Sequence, residues 1–186
     1  IWLPRKLECQ VPLFEDPAVG LVYSNTCFFN NTGHSQQLYR GELPCSGEGF
    51  RQLLGRYFLS METVVVRRQA LEEQPYWFDE RFNMIEEAEL FRRIGYRWHV
   101  AGVMEPLAKW RVHGNSWTFR HPELLRSESE LMIARFRELY PGFNEKYQFE
   151  IKQLYAGIET HEARGAWLRG DKWPLVRHFL KAGSAG

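Results

Sequence analysis

The amino-acid sequence predicts an α/β fold followed by an all-helical extension. Two stretches rich in β-branched residues, 19–25 and 61–67, have the continuous apolar character of buried strands. Segments with helical periodicity lie between and around them, whereas almost every segment after residue 118 has that periodicity. We therefore expect an α/β unit over residues 1–118, with a mixed sheet flanked by helices, and a helical extension over residues 119–186.

Local patterns predict the elements of this arrangement. Leu7, Val11 and Phe14 recur at helical spacing, so residues 4–15 are expected to form a helix that packs through this apolar stripe. The β-branched run at 61–66 is expected to be a central strand. The other predicted elements are a turn at 30–33, a loop at 34–46, a helix at 47–58, strands at 97–103 and 105–112, and helices at 121–140 and within 144–181.

Composition narrows the class of protein. A net charge of +1 over 186 residues gives no electrostatic case for binding nucleic acid. The longest apolar runs are far too short to span a bilayer, and the sequence as given opens with no secretory signal pattern. Cys9, Cys27 and Cys45 are odd in number and lack a CxxC spacing, which favours reduced thiols. These features favour a cytoplasmic location, with peripheral contact with a membrane left open.

One predicted helix, in the second half of residues 77–93, carries a carboxylate on its apolar face. At about 100° per residue, Glu87 points to the same side as the apolar residues Ala88, Leu90, Phe91 and Ile94. Burial of a carboxylate costs free energy unless hydrogen bonds satisfy it or a function needs it. Glu87 is therefore either a structural hydrogen-bond acceptor or a base that takes a proton from a hydroxyl, and periodicity leaves both open.

The opposite face of this helix is predicted to be exposed, with Glu86, Glu89, Arg92 and Arg93 on it. Glu89 and Arg93 are four residues apart, which favours a surface ion pair. Asn83 is expected to cap the helix, and Glu86, three residues later, to complete a capping box or to face water. Because Glu86 and Glu87 are expected on different faces, a hydrolase that uses both carboxylates is disfavoured.

A second candidate site lies at 110–118, where the sequence is WRVHGNSWT. If the predicted strand reaches this point, Arg111 and His113 project to one side, and Trp110 and Val112 to the other. An arginine and a histidine at a strand end suit an anionic ligand such as a phosphate. A histidine that only hydrogen-bonds a nearby loop is the alternative, and the spacing does not decide between them.

Several blocks of the sequence are similar to one enzyme family. The segment FDERFNMIEEAELFRRIG at 78–95 resembles the C-terminal signature of family 2 glycosyltransferases of the GT-A fold, in which a Glu-Asp pair precedes a leucine and an arginine. Further resemblances, in the same order as in that family, are IWLPRKLECQVPLFEDPAVGLVYSN at 1–25, METVVVRRQAL at 61–71 and EPLAKWRVHGNSWT at 105–118. The resemblance implies the C-terminal part of a GT-A sheet within residues 1–118.

The resemblance also implies a reaction and roles for the candidate residues. An acceptor hydroxyl would attack the anomeric carbon of a nucleotide-diphosphate sugar with inversion, and the acceptor would be a glycan or a lipid-linked glycan. Glu87, where the family usually has aspartate, would be the general base, and Glu86 would help to hold the acceptor. Arg111 and His113 would lie near the diphosphate or its divalent metal ion, Mg or Mn, with His113 a candidate metal ligand.

The family's nucleotide-binding half and its Asp-x-Asp motif have no counterpart in these 186 residues. We therefore expect the chain to be the acceptor-side portion of a transferase, inactive by itself and able to self-associate through an exposed sheet edge. The alternative is a non-catalytic module, derived from a glycosyltransferase, that binds a glycan or a protein.

Overall fold

The computed structural model of the protein describes residues 1–113 and 121–168, and its strands form one mixed sheet. The strands are β1 (Val19–Phe29), β2 (Ser35–Gln37), β3 (Val65–Val66) and β4 (His99–Arg111). The two longest strands, β1 and β4, are parallel neighbours. On the other edge of β1, β3 pairs antiparallel near its start and β2 pairs antiparallel near its end. The predicted α/β class is confirmed.

Helices cover the sheet and continue beyond it. The α-helices are α1 (Lys6–Gln10), α2 (Phe50–Gly55), α3 (Arg68–Glu72), α4 (Glu86–Arg97), α5 (Leu124–Leu139), α6 (Phe143–Lys146) and α7 (Gln148–Leu168), with 3₁₀ helices at Val11–Glu15 and Met61–Thr63. The predicted turn at 30–33 and helices at 47–58 and 121–140 are confirmed in kind. Residues 114–120 and the part of the last predicted helix beyond residue 168 lie outside the described residues. None of the described helices has both the length and the apolar character needed to cross a bilayer.

Two apolar clusters hold the helices in place. One joins α4 to the sheet, where Leu90 and Ile94 pack against Leu21, Tyr23 and Val100. The other joins α2 and the start of α4 to the helices beyond residue 120, with Phe50, Leu54, Ala88, Met132 and Phe136 among its buried members. The helical extension therefore shares its core with the α/β unit.

The packed face of α1 is polar, which corrects the predicted apolar stripe. Lys6 and Gln10 are buried and each donates a hydrogen bond of 2.8 Å to the Thr63 carbonyl. Leu7 and Val11 are 47% and 53% exposed. A buried carbonyl that no sheet ladder satisfies needs side-chain donors, so the polar residues turn inward. Burial of the Lys6 ammonium group lowers its pKa to about 8.

The run at 61–66 is not the predicted central strand. Ser60 Oγ donates to Glu62 Oε2, and Thr63 Oγ1 donates to the Ser60 carbonyl, both at 2.7 Å. Such local side-chain bonds compete with strand pairing, so Met61–Thr63 forms a 3₁₀ turn. The short strand β3 that follows pairs with β1 alone, opposite Leu21 and Val22.

Helix α4 is buried on both faces, whereas the sequence predicts one exposed face. The predicted ion pair forms, with Arg93 Nε and Nη2 at 2.8 and 2.9 Å from the Glu89 carboxylate, but both side chains are fully buried. The segment 74–77 covers them: Arg93 also donates to the Gln74 side chain and to the carbonyls of Tyr76 and Trp77. Because Glu89 accepts two of the five guanidinium N–H groups and this cover accepts the other three, the pair is stable away from water.

Arg92, the third residue expected on the exposed face, is buried on the other side of α4. Its guanidinium donates to the Leu53 and Ala88 carbonyls and lies 4.8 Å from the centre of the Tyr57 ring. Among the described residues it forms no ion pair with a carboxylate. Backbone carbonyls and an aromatic ring thus take the place that water was expected to have.

The buried pair predicts a large stability effect. Glu89→Ala should lower the free energy of unfolding by about 3–5 kcal/mol, because it leaves the Arg93 charge buried without its partner. The control is Glu72→Ala, which removes an exposed ion pair at the same four-residue spacing, with Arg68. It should change stability by less than about 0.5 kcal/mol. Urea unfolding measures both, and similar losses in the two variants would contradict the interpretation.

Candidate functional site

A cavity of about 900 Å³ lies where the ends of β1 and β4 meet the start of α4. Its walls come from five parts of the chain that are distant in sequence. The lining residues are Phe28, Leu38, Tyr39, Pro44, Tyr57, Phe58, Leu59, Ser60, Met61, Glu62, Asn83, Met84, Glu86, Glu87 and Trp110. The two carboxylates singled out in the sequence therefore border the same space. A cavity of this volume can hold a small ligand or part of an oligosaccharide.

Glu87 is half-buried in the wall of this cavity, as its place on the apolar face predicts. Burial raises the pKa of its carboxyl group, and the nearby charge of Glu86 raises it further. The backbone N–H groups of Glu87 and Ala88 and the charge of Arg92 act in the opposite direction. The result is a carboxylate with raised proton affinity that faces a cavity, as a general base requires.

Glu86 also lines the cavity, and the predicted capping box does not form. Its Oε2 atom is buried and has no hydrogen-bond partner among the described residues. The helix begins at Glu86, and the side chain of its N-cap residue, Ile85, makes no capping hydrogen bond. Because the cavity wraps around the first turn, neighbours that differ by about 100° can both border it.

The residue that satisfies the start of α4 is Glu128, a buried carboxylate on α5. Its Oε1 accepts the N–H of Asn83 at 2.9 Å, and its Oε2 accepts those of Met84 and Ile85 at 3.0 and 3.1 Å. These three donors precede the helix, where no intrahelical acceptor is available. Glu128 therefore replaces the predicted Asn83–Glu86 capping box and fixes two residues of the cavity wall.

Glu128 was not among the residues predicted from the sequence, although a signal for it exists. In α5 the buried residues Ser129, Met132, Ile133 and Phe136 recur at helical spacing, and Glu128 lies on the same face. The angular reasoning that singled out Glu87 would have singled out Glu128 as well. Its partners, which are backbone groups 43–45 residues away, carry no sequence signal.

Glu62 and Tyr57 are two further polar residues of the cavity that sequence reasoning missed. The carboxylate of Glu62 accepts hydrogen bonds from Thr26 Oγ1 at 2.8 Å and from Ser60 Oγ at 2.7 Å. The hydroxyl of Tyr57 is buried, and no described residue forms a hydrogen bond with it. Burial, followed by the charge of Glu87, raises the pKa of Tyr57 well above its usual value, so its hydroxyl stays protonated.

Arg111 and His113 are exposed at and just beyond the end of β4. Trp110, the neighbour of Arg111, lines the cavity, whereas Arg111 and His113 are not among its described lining residues. Within residues 1–113 and 121–168, no group of three or more His, Cys, Asp or Glu side chains is arranged to hold a metal ion. The described residues therefore do not form the expected Mg or Mn site by themselves, and the anion-binding role of Arg111 and His113 stays a prediction.

Comparison with known proteins adds no family assignment. Neither the models of protein families nor the curated protein sequences contain a match to this chain. The fold and the carboxylate-lined cavity define a mixed α/β protein with a candidate ligand site at the start of α4.

The role of Glu128 in holding the cavity wall can be measured directly. Glu128→Ala should lower the free energy of unfolding by roughly 1–3 kcal/mol, because three backbone donors lose their acceptor. It should also speed amide hydrogen exchange at Asn83, Met84 and Ile85. Glu130→Ala, an exposed carboxylate two residues along the same helix, is the control. Unchanged exchange at these amides in Glu128→Ala would refute the role.

The raised pKa of Glu87 predicts a pH-dependent stability difference. The folded protein binds the Glu87 proton more tightly than the unfolded chain does, so native stability falls as the pH rises through the raised pKa. Glu87→Gln lacks this loss. Its melting temperature should exceed that of the wild type at pH 7, and the gain should vanish below the usual carboxyl pKa of 4.5.

The control for this pH dependence is Glu80→Gln, which alters an exposed carboxylate of the preceding loop. We expect it to change the melting temperature little at either pH, since water solvates that side chain in both states. A Glu87→Gln variant less stable than the wild type at pH 7 would show that Glu87 is a structural hydrogen-bond acceptor.

Proposed function

We propose that the protein is the acceptor-side part of an inverting glycosyltransferase of the GT-A type. In this proposal the cavity at the start of α4 binds the acceptor, and Glu87 is the general base. The observation that carries the proposal is the position of Glu87, which lies in the wall of a cavity of about 900 Å³ with a raised pKa. The segment that contains it, at 78–95, also carries the strongest resemblance to the family.

The chemistry asked of Glu87 is proton abstraction. The acceptor hydroxyl loses its proton to the carboxylate while its oxygen bonds to the anomeric carbon of the donor sugar. The nucleoside diphosphate leaves from the opposite face with the bonding electron pair, so the configuration inverts. Raised proton affinity makes Glu87 a stronger base than a solvated carboxylate.

Neighbouring groups support this task. Glu86 and Asn83 lie in the same wall and can hold hydroxyl groups of the acceptor. Arg92 lies behind the wall, and its charge limits the rise in the Glu87 pKa. Arg92 thus favours the ionised form of Glu87, which desolvation opposes.

Fewer residues of this chain are proposed to contact the donor sugar nucleotide than the acceptor. Arg111 and His113, exposed at the end of β4, are proposed to face the diphosphate of the nucleotide sugar. A divalent metal is expected with the donor in the whole enzyme. Since the described residues present no ligand cluster for it, no step is assigned to that metal.

The second candidate function is a binding module without catalysis. The cavity favours it in one respect, because aromatic rings and carboxylates can hold a sugar whether or not a donor binds beside it. A module of this kind would bind a saccharide and transfer nothing. The test of transfer separates the two functions.

Transfer is best measured with the natural gene product, by release of nucleoside diphosphate from a panel of nucleotide sugars in the presence of saccharide acceptors. Glu87→Gln should reduce kcat by about 10²–10⁴-fold, the usual contribution of a general base, while donor binding stays intact. Glu87→Asp should restore part of the activity, since it keeps the carboxylate on a shorter arm.

Glu80→Gln serves as the matched control and should turn over normally. In the wild type, kcat should fall as the pH decreases through the raised Glu87 pKa. Near-normal turnover of Glu87→Gln would reject Glu87 as the base. Saccharide binding by the wild type without transfer from any donor would favour the binding module.

A further inference from the structure

We infer that the sugar bound in the cavity carries no negative charge, and that a protonated amino sugar is its preferred ligand. This inference rests on the proposed function and specifies its acceptor. Family resemblance leaves the acceptor open, whereas the charges and unsatisfied atoms of the cavity restrict it.

The first observation is the charge of the cavity wall. Its ionisable carboxylates are Glu62, Glu86 and Glu87, and no lysine, arginine or histidine is among the described lining residues. Two cations act on these carboxylates from outside the lining: Lys6 interacts with Glu62, and Arg92 with Glu87. A phosphate or carboxylate on the ligand would thus meet like charges without a cationic partner in the described wall, which weakens its binding.

The second observation is that two buried polar atoms of the wall lack hydrogen-bond partners within residues 1–113 and 121–168. They are Glu86 Oε2 and the Tyr57 hydroxyl oxygen. By contrast, Glu62 already accepts two hydrogen bonds, from Thr26 and Ser60. A carboxylate with one buried oxygen that has no donor carries a poorly compensated negative charge, so a positively charged ligand group that approaches Glu86 from the cavity gains free energy on binding.

The donor that suits Glu86 best is an ammonium group. An ammonium group is attracted to the carboxylate by its opposite charge in addition to the hydrogen bond that it donates. A sugar hydroxyl can also donate there, with a weaker bond. The expected order of affinity is therefore amino sugar first, neutral sugar second and acidic sugar last.

The third observation favours a saccharide over a small cation. Trp110 is 38% exposed, and its ring lies edge-on to that of Phe28 with centroids 5.2 Å apart. Both rings line the cavity together with those of Tyr39 and Phe58. Their apolar faces can pack against the C–H face of a pyranose, while the carboxylates bind its polar substituents.

The test uses the 186-residue chain and charge-matched saccharides, with affinity measured by calorimetry. The probes are β-1,4-linked trimers of the amino, neutral and uronic acid forms of one sugar, in both the gluco and galacto series. The amino trimer of at least one series should bind about tenfold or more tightly than its uronic acid counterpart. This preference should shrink at 1 M salt, where charge interactions are screened.

Two variants place the effect in this cavity. Glu86→Gln keeps the shape of the side chain and should reduce the preference for the amino trimer, whereas Glu80→Gln, an exposed carboxylate of the preceding loop, should preserve it. Melting curves confirm that both variants fold. Equal loss of the preference in the two variants would overturn the role of Glu86.

Other outcomes separate this inference from the proposed function. A uronic acid trimer that binds as tightly as the amino trimer, or no binding by any of the six saccharides, overturns the inference. Transfer by the natural gene product to an acidic acceptor would also overturn it, and would leave the glycosyltransferase proposal intact. Tight binding of the amino trimer without transfer from any donor would support the inference and reject the transferase.

Discussion

The arrangement of the site depends on the buried ion pair between Glu89 and Arg93. Arg93 joins α4 to the segment 74–77 through the side chain of Gln74 and two backbone carbonyls, and the Tyr76 hydroxyl donates to Glu89 in return. This attachment fixes the beginning of the loop that leads back to the start of α4. Because the loop is held at both ends, Asn83 and Met84 reach the cavity wall in a defined position.

Helix α4 carries three carboxylates near its start, and they differ in how well hydrogen bonds and nearby positive charges compensate them. Glu89 has arginine and tyrosine partners, and Glu87 has helical N–H groups and the charge of Arg92 nearby. Glu86 has a buried oxygen without a donor. The missing hydrogen bond to Glu86 lowers the stability of the folded protein, and proteins retain such local destabilisation at binding sites.

The sequence predicts the elements of this fold better than it predicts their environments. Periodicity locates α4, α5 and β1, and it places Glu87 on a buried face, as the structure has it. It fails for Glu89, Arg92 and Arg93 because hydrogen-bonding partners far along the chain make burial of charged groups possible. No local pattern encodes those partners.

The errors at α1 and at 61–66 have a common origin. Leu7 and Val11 look like a buried stripe, and the valines look like a central strand, when only apolar periodicity is considered. The Thr63 carbonyl instead draws Lys6 and Gln10 inward, and Ser60 and Thr63 close a turn with their own side chains. Specific hydrogen bonds outweigh the apolar pattern in both places.

The bond between Glu128 and the start of α4 limits how this protein can be recombined with others. A chimaera joined between β4 and α5 would take its cavity from one parent and the acceptor for Asn83, Met84 and Ile85 from the other. If the α5 helix of the second parent had no carboxylate at the position of Glu128, these three N–H groups in the cavity wall would have no acceptor. The helices after residue 120 must therefore come from the same parent as the site. The α/β unit and the helical extension cannot be exchanged separately, although they are consecutive in sequence.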